Sequence, residues 1–406
     1  MGEHNRINPR SIASILTLRY DYTIKPLLKK LGWEDFLPSK SSNEIEHIEN
    51  LITENLKKKI SFQAKRVSIA LSAGIDSTLM LALLRKTFPD ITIDAISIKF
   101  AESIDESLQA REIADKFDAN HKVIFIENYL KDLPKAISII ELPFWDLHWY
   151  HVVKEAKSKS EFLVSGDGGD ELFGGYTFRY QKFLSSINEK SPPLEKIKAY
   201  LSCHERDWVP DQEKLFGSKL SFSWNDIYSI LKPYFENQLQ PTAQVFLADF
   251  NGKLLFNWTP LYAKLHQHFK ITSVSPLLTA ELISYATHLN YSLKYDEKNN
   301  IGKILLRKLL QKYIPEDNIS TSKQGFSVDT RNLWKSHGKR LCEYYLDNGR
   351  IIKEGLINNE WISSHLNKSE SMNDIRYVNK FLGLLALEIW FRLFITKEMK
   401  PDEKLN

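Results

Sequence analysis

Two short segments concentrate the residues of this chain that could do chemistry. The first reads Leu71-Ser72-Ala73-Gly74-Ile75-Asp76-Ser77-Thr78. Small residues let the backbone turn tightly and bring N–H groups close to an anion, and Ser72 and Ser77 can add hydroxyl donors. Asp76 would repel a phosphate held there alone, but fits if Mg2+ bridges carboxylate and phosphate. The second reads Ser165-Gly166-Asp167-Gly168-Gly169-Asp170-Glu171-Leu172-Phe173-Gly174-Gly175-Tyr176, with five glycines and three acids in twelve residues. Glycine costs stability unless its freedom is used, and clustered carboxylates repel unless a cation or proton intervenes, so folding alone explains this segment poorly. Asp170 could approach the same Mg2+ as Asp76. The bland alternatives are a helix start capped by Asp76 or Ser77 and a Gly-rich turn with solvated acids. By itself the first segment fits either reading. The loop G-x-x-x-x-G-K-[ST] is absent, which argues against a P-loop kinase or GTPase.

Both segments need strands to position them. A β-rich run at 66–71 precedes the first, and a helical run at 78–86 follows it, its N-terminus aimed at the same anion. Further along, 91–100 predicts a strand, 106–117 a helix, 122–126 a strand, 130–140 and 147–158 helices, and 162–165 a strand. Strands alternating with helices predict an α/β fold, a parallel sheet with helices on both faces. Such sheets bind ligands at the carboxyl ends of their strands. Upstream, Ile45, Ile48, Leu51, Ile52 and Leu56 give 44–60 a helical period. After about residue 180 the strand pattern fades into Leu-, Lys- and Tyr-rich helical sequence, with Pro192-Pro193 near the change. The expected division is an N-terminal helical extension at 1–60, an α/β core at 61–190 and a mostly helical C-terminal part at 191–406.

The bulk properties narrow the partners. The 406 residues are 43% hydrophobic and 26% charged, with a net charge of +4. That is too mild to argue for nucleic-acid binding, and Lys57-Lys58-Lys59 reads as a solvated helix end. Cys203 and Cys342 stand far apart, in no metal-ligand spacing, which suits a reducing compartment without structural zinc. The start has no apolar region of a signal peptide, and Arg6 breaks the myristoylation pattern that Gly2 suggests. The apolar stretch 381–395 carries Glu388 and Arg392, is too short to span a bilayer, and predicts a buried helix. A cytoplasmic protein with neither nucleic-acid nor membrane partners is expected.

In order and spacing, the two segments resemble the synthetase domain of asparagine synthetases and their relatives. In that family the loop reads S-G-G-x-D-S and the second motif S-G-x-G-x-D-E-x-x-x-G-Y. The resemblance extends over about 45–340. Asp105-Glu106 with Ala110 and Ala114 resembles the family's D-E…A…A helix, and Glu141-Leu142-Pro143 its E-x-P turn. Lys303-Ile304-Leu305-Leu306-Arg307 resembles the K-x-x-L-R helix, and Lys323-Gln324-Gly325-Phe326 the K-x-G-F loop. The resemblance implies a PP-loop ATP-pyrophosphatase fold and ATP with Mg2+ as cofactors. ATP would bind through Leu71, Ser72, Ala73, Gly74, Asp76 and Ser77. Ile98 would lie along the adenosine, and Ser165 and Gly166 would contact the nucleotide. Asp76 and Asp170 match the Mg2+ ligands. Lys323 matches a lysine that steadies charge on the phosphates and the intermediate, and Lys303 a second phosphate-contacting lysine. Asp167 holds the motif's variable position, close to the reacting amine. There it could accept a proton, or equally be a solvated loop acid. The implied reaction adenylates a small-molecule carboxylate, releases pyrophosphate, and transfers the acyl group to ammonia or an amine.

Three departures matter. Full asparagine synthetases begin with a glutaminase domain whose nucleophilic cysteine follows the initiator methionine. Here position 2 is Gly and about 70 residues precede the loop, so that domain is expected to be missing. Ammonia would then come from solution or from a separate glutaminase or other partner subunit, or the nucleophile is another amine. The family's E-x-R-x-P-F-L-D segment corresponds to Thr272-Ser273-Val274-Ser275-Pro276-Leu277-Leu278-Thr279. Its acid, arginine and final aspartate are replaced by Thr272, Val274 and Thr279, and losing the arginine weakens the case for aspartate as substrate. Ala73 fits its loop position only if its φ is negative. The rivals to asparagine-type amide formation are cyclisation of a peptide or small metabolite, of the β-lactam or lasso-peptide kind, and a nucleotide-binding scaffold without turnover. A tRNA-modifying pyrophosphatase would favour a basic face and catalytic cysteines, and neither is visible.

Overall fold

A computed structural model describes residues 8–105, 107–188, 190–315, 326, 328–366, 368 and 374–405. In β1 (Arg66–Ala70), Val67 and Ile69 point into one hydrophobic core, while Ala70 points into a second on the opposite face. β2 (Thr92–Phe100) does the same, with Ile93 and Ala95 on the first side and Ile96, Ile98 and Phe100 on the second. A strand apolar on both faces is the mark of a parallel sheet covered twice. β3 (Asn120–Ile126), β4 (Phe162–Val164) and β5 (Thr272–Val274) complete it in the order β3-β2-β1-β4-β5, every neighbour parallel.

The first face is covered by α2 (Glu44–Lys59), α3 (Ile75–Thr87) and α4 (Ser107–Lys116), whose Ile48, Leu79 and Ala110 are buried there. The second carries α5 (Leu133–Ile140), α6 (His148–Lys159), α1 (Pro9–Leu18) and the twenty-residue helix Ile375–Phe394. The predicted α/β class with helices on both faces is therefore what the chain adopts. The helix at 44–60, the strands before both motifs and the exposed end at Lys57–Lys59 lie where the pattern placed them. The buried helix foreseen at 381–395 is the second half of Ile375–Phe394. Its buried Glu388 accepts the Arg350 and Ile351 N–H groups at 2.9 and 3.0 Å and pairs with Arg392 at 2.6 Å. Among the described residues no helix is long and apolar enough to cross a membrane. Both cysteines are free, Cys342 fully buried.

Two local expectations are corrected. α3 begins at Ile75, three residues earlier than its periodicity suggests, with Gly74 as N-cap and no side-chain cap. The fifth strand lies in the segment 272–279, where only a motif had been read. Three residues, of which Val274 alone is buried, leave no alternation to detect. In this order the chain runs outward from β1 through β2 to β3, then returns to β4 on β1's other side. The direction reverses between β1 and β4, where an open α/β sheet leaves its crevice.

Candidate active site

The loop after β1 and the loop after β4 meet at that crevice. The contact is too close for side chains: a Cβ on Gly169 would overlap the Asp76 carboxylate, and one on Gly175 would overlap Asp170 and Lys303. The glycines of the second motif thus let its acids reach the first. The bland reading of the first loop fails here. Asp76 and Ser77 lie inside α3, whose N-cap is Gly74; Asp76 reaches the Lys303 ammonium, and the Ser77 hydroxyl donates to the Gly74 carbonyl at 3.1 Å. Ala73 has φ +56°, in the left-handed region, contrary to the negative φ expected. That conformation costs about 1–2 kcal/mol for a residue with a Cβ, and the buried Ala73 methyl offsets part of it.

Lys303 ties the motifs together. It immediately precedes the helix Ile304–Leu310 as its N-cap residue, and is not an exposed lysine. Its Nζ lies 2.5 Å from Asp76 Oδ2 and 2.6 Å from Asp170 Oδ1. Burial works against its charge, but the two carboxylates outweigh burial and hold its pKa above the usual lysine range. The ammonium stands at the point where both carboxylates converge, which is where a hard cation would be held. Two carboxylates with room for phosphate oxygens fit Mg2+, which seldom uses an all-protein cage. Among the described residues no cluster of three His, Cys, Asp or Glu side chains forms such a cage.

Two cavities adjoin, with Ser72, Arg179 and Phe326 in both linings, and the smaller one holds this point. One, of about 730 Å³, runs past Leu71, Ser72, Ser97 and Ile98. Ile98 sits inside β2. The other, of about 360 Å³, holds Asp76, Ser77, Ser165, Gly166, Asp170 and Lys303. Ser72 and Gly74 join it too, so of the sequence-selected residues described, only Ala73 lines neither cavity. Lys323 lies outside the described residues, with Gln324, Gly325 and Glu106; Phe326, which closes that motif, lines both cavities.

Asp167 reaches the inner cavity and is no solvated loop acid. It accepts a hydrogen bond from Ser165 Oγ at 2.7 Å, and Ser165 also meets Ser275 at 2.9 Å. Burial, only partly offset by Ser165 and His148, raises its pKa to about 6. Sequence reading missed its neighbours. Asp146 and His148 enter from the loop before α6 and its first residue, with His148 Nδ1 3.4 Å from Asp146 Oδ1. Tyr129 donates to Asp146 at 2.8 Å, and Arg19 lies 3.5 Å away. Despite burial, His148 and Arg19 hold Asp146 well below the usual carboxylate range. Tyr262, stacked on Trp149 at 4.6 Å, brings its hydroxyl within 3.5 Å of His148 Nε2. The available signal was an acid and a histidine two residues apart, just past the E-x-P turn. Of the four aromatics there, Trp149 lines the cavity, while Phe144, Trp145 and Tyr150 do not.

A parallel sheet with two small-residue loops at its switch point, acids from both converging on one ammonium, defines an open-sheet α/β protein. Residues 47–392 match the asparagine synthase family, and the chain belongs to it. It is 24% identical over 366 residues to asparagine synthetase [glutamine-hydrolyzing] 1 of Bacillus subtilis, covering 82% of this chain and 57% of that protein. It is 23% identical over 369 residues to a putative asparagine synthetase [glutamine-hydrolyzing] of Mycobacterium bovis, covering 83% and 56%. The chain thus spans little more than half the length of these curated relatives. An NMN synthetase structure from Francisella tularensis matches with a TM-score of 0.24 and 13% identity, covering 57% of this chain and 97% of that one.

Proposed function

We propose that this chain is an ATP-dependent amide ligase that forms AMP and pyrophosphate. The observation that carries this reading is the convergence of Asp76, Asp170 and Lys303 in the inner cavity, which adjoins the outer one at Ser72. Adenosine would lie in the outer cavity along Ile98, and the phosphates would bend over residues 72–77. A carboxylate oxygen attacks the α-phosphorus, forming one P–O bond as the bond to pyrophosphate breaks. An amine then attacks the acyl carbon, the bond to AMP breaks, and the amine proton passes to a base. Asp167, with a pKa near neutrality, is suited to take that proton. Mg2+ held by Asp76 and Asp170 would supply charge neutralisation on the phosphates. Lys303, and Lys323 by resemblance, would steady the charge growing on pyrophosphate, each worth a few kcal/mol in a preorganised site.

The acyl donor is proposed to differ from aspartate. Val274 is buried in the first core, and Thr279 caps the helix Ala280–Thr287 with its side chain, so neither supplies the cation a dicarboxylate needs. Incubation with ATP, Mg2+ and a carboxylate panel, with and without ammonium or simple amines, tests the reading. The expected products are AMP, pyrophosphate and an amide. ADP and phosphate would contradict it. An amide formed without any added amine would point to cyclisation.

A further inference from the structure

Among the described residues Arg179 is the one arginine that lines both cavities, and the proposed reaction leaves it without a task. It lies on the helix Thr177–Ser186, three residues beyond the N-cap residue Tyr176 of the second motif. Its guanidinium stacks 4.1 Å over the Tyr176 ring, whose hydroxyl is fixed by a 2.6 Å hydrogen bond to Glu171. Phe178 flanks it at 5.5 Å. The platform holds the planar fork without consuming its donors. Among the described residues, no carboxylate comes within ion-pairing distance of Arg179 and no hydrogen bond uses its side chain. Asp249 and Asp207 act on it only at longer range. Those acids keep the guanidinium charged without occupying its N–H groups, which are left to face the cavities.

We infer that Arg179 binds an oxyanion of the reacting pair, the α-phosphoryl group of the nucleotide or the carboxylate that attacks it. Its place between the adenosine cavity and the inner chamber is where those two groups must meet. A guanidinium can grip either in bidentate fashion. The inference rests on the proposed adenylation. Asp76, Asp170 and Lys303 face the pyrophosphate side, so Arg179 adds a cation on the other side of the bond that breaks. Its i, i+3 relation to Tyr176 was the one trace of it in the sequence.

The test uses the full chain and compares Arg179→Met and Arg179→Lys with wild type. Adenosine, AMP and ATP with Mg2+ are titrated by calorimetry, and thermal unfolding confirms that the variants fold. If Arg179 holds the α-phosphoryl group, Arg179→Met weakens AMP and ATP about tenfold or more, leaves adenosine unchanged, and Arg179→Lys recovers part of the loss. If it holds the carboxylate, nucleotide affinities stay constant, while the acid concentration needed for half-maximal ATP–pyrophosphate exchange rises about tenfold or more. Unchanged affinities with an unchanged acid requirement overturn the inference. An equal loss for adenosine also overturns it, because the residue then shapes the fold and not an anion site. Wild-type protein that binds no nucleotide defeats the proposed function itself.

Discussion

At Lys303 one ammonium serves two carboxylates that belong to different motifs. Replacing it with an apolar side chain removes the ammonium held between Asp76 and Asp170, so that their mutual repulsion grows. Lys303→Met should lose on the order of 3 kcal/mol of stability without divalent metal. Mg2+ should then raise its Tm more than it raises that of wild type; equal responses would show that the acids do not form a cation site. Asp167 makes a separate, pH-dependent prediction. Its folded pKa of about 6 lies above the ordinary 3.8, so its contribution is full below about pH 4 and is lost as pH rises through 6. Asp167→Asn should flatten the stability profile across that window in denaturant titrations, whereas a profile parallel to wild type would contradict its burial. At this scale the sequence was generous with motif residues and silent on their partners. Asp76, Asp167 and Asp170 were legible because acids among glycines are rarely needed for folding. Asp146, His148 and Arg179 sit in ordinary helical or loop sequence, where their spacing is a faint signal until tertiary contact gives it meaning. Ala73 was misjudged because local steric preference was set against a loop that the surrounding packing over-determines.

Helix α2 shows how an element outside the sheet is fastened to it. Its Glu49 is buried against Lys86 of α3, Lys312 at 2.8 Å and the Tyr313 hydroxyl. Burial pushes its pKa up, but the hydrogen bonds from Lys312, Lys86 and Tyr313 outweigh it and bring the value down to about 2. The stabilisation is therefore present above about pH 4.5 and is lost as pH falls toward 2. Glu49→Gln should cost about 1–3 kcal/mol at pH 7 and remove part of the acid-side decline, read from urea unfolding at pH 7 and pH 3. An unchanged acid slope would mean that α2 is held by its apolar face alone. Elements with a strong period were legible from the chain: α2 by its isoleucines, β1 and β2 by their β-branched runs. β5 was not, because a three-residue edge strand has too few residues to alternate and takes its place by pairing with β4. The start of α3 was misplaced because its first turn belongs to the loop motif, whose small residues hide the helical period.

Over the whole molecule, two hydrophobic cores grip the sheet from opposite faces and leave the crevice between β1 and β4 as the place where the motifs converge. The class of fold could be read from alternation alone. The strand order could not, since parallel pairing is decided by which apolar faces find cover and not by local sequence. Family membership accounts for the loops, and the altered segment 272–279 accounts for reading the donor as something other than aspartate. The proposed chemistry stands on a reversible first step, so exchange of radiolabelled pyrophosphate into ATP tests it most directly. With Mg2+ and the right carboxylate, the wild-type chain should incorporate label, and Lys303→Met should lose that incorporation by about 100-fold or more. No incorporation with any acid, from a protein that binds ATP and Mg2+ normally, would contradict adenylation and leave a nucleotide-binding scaffold.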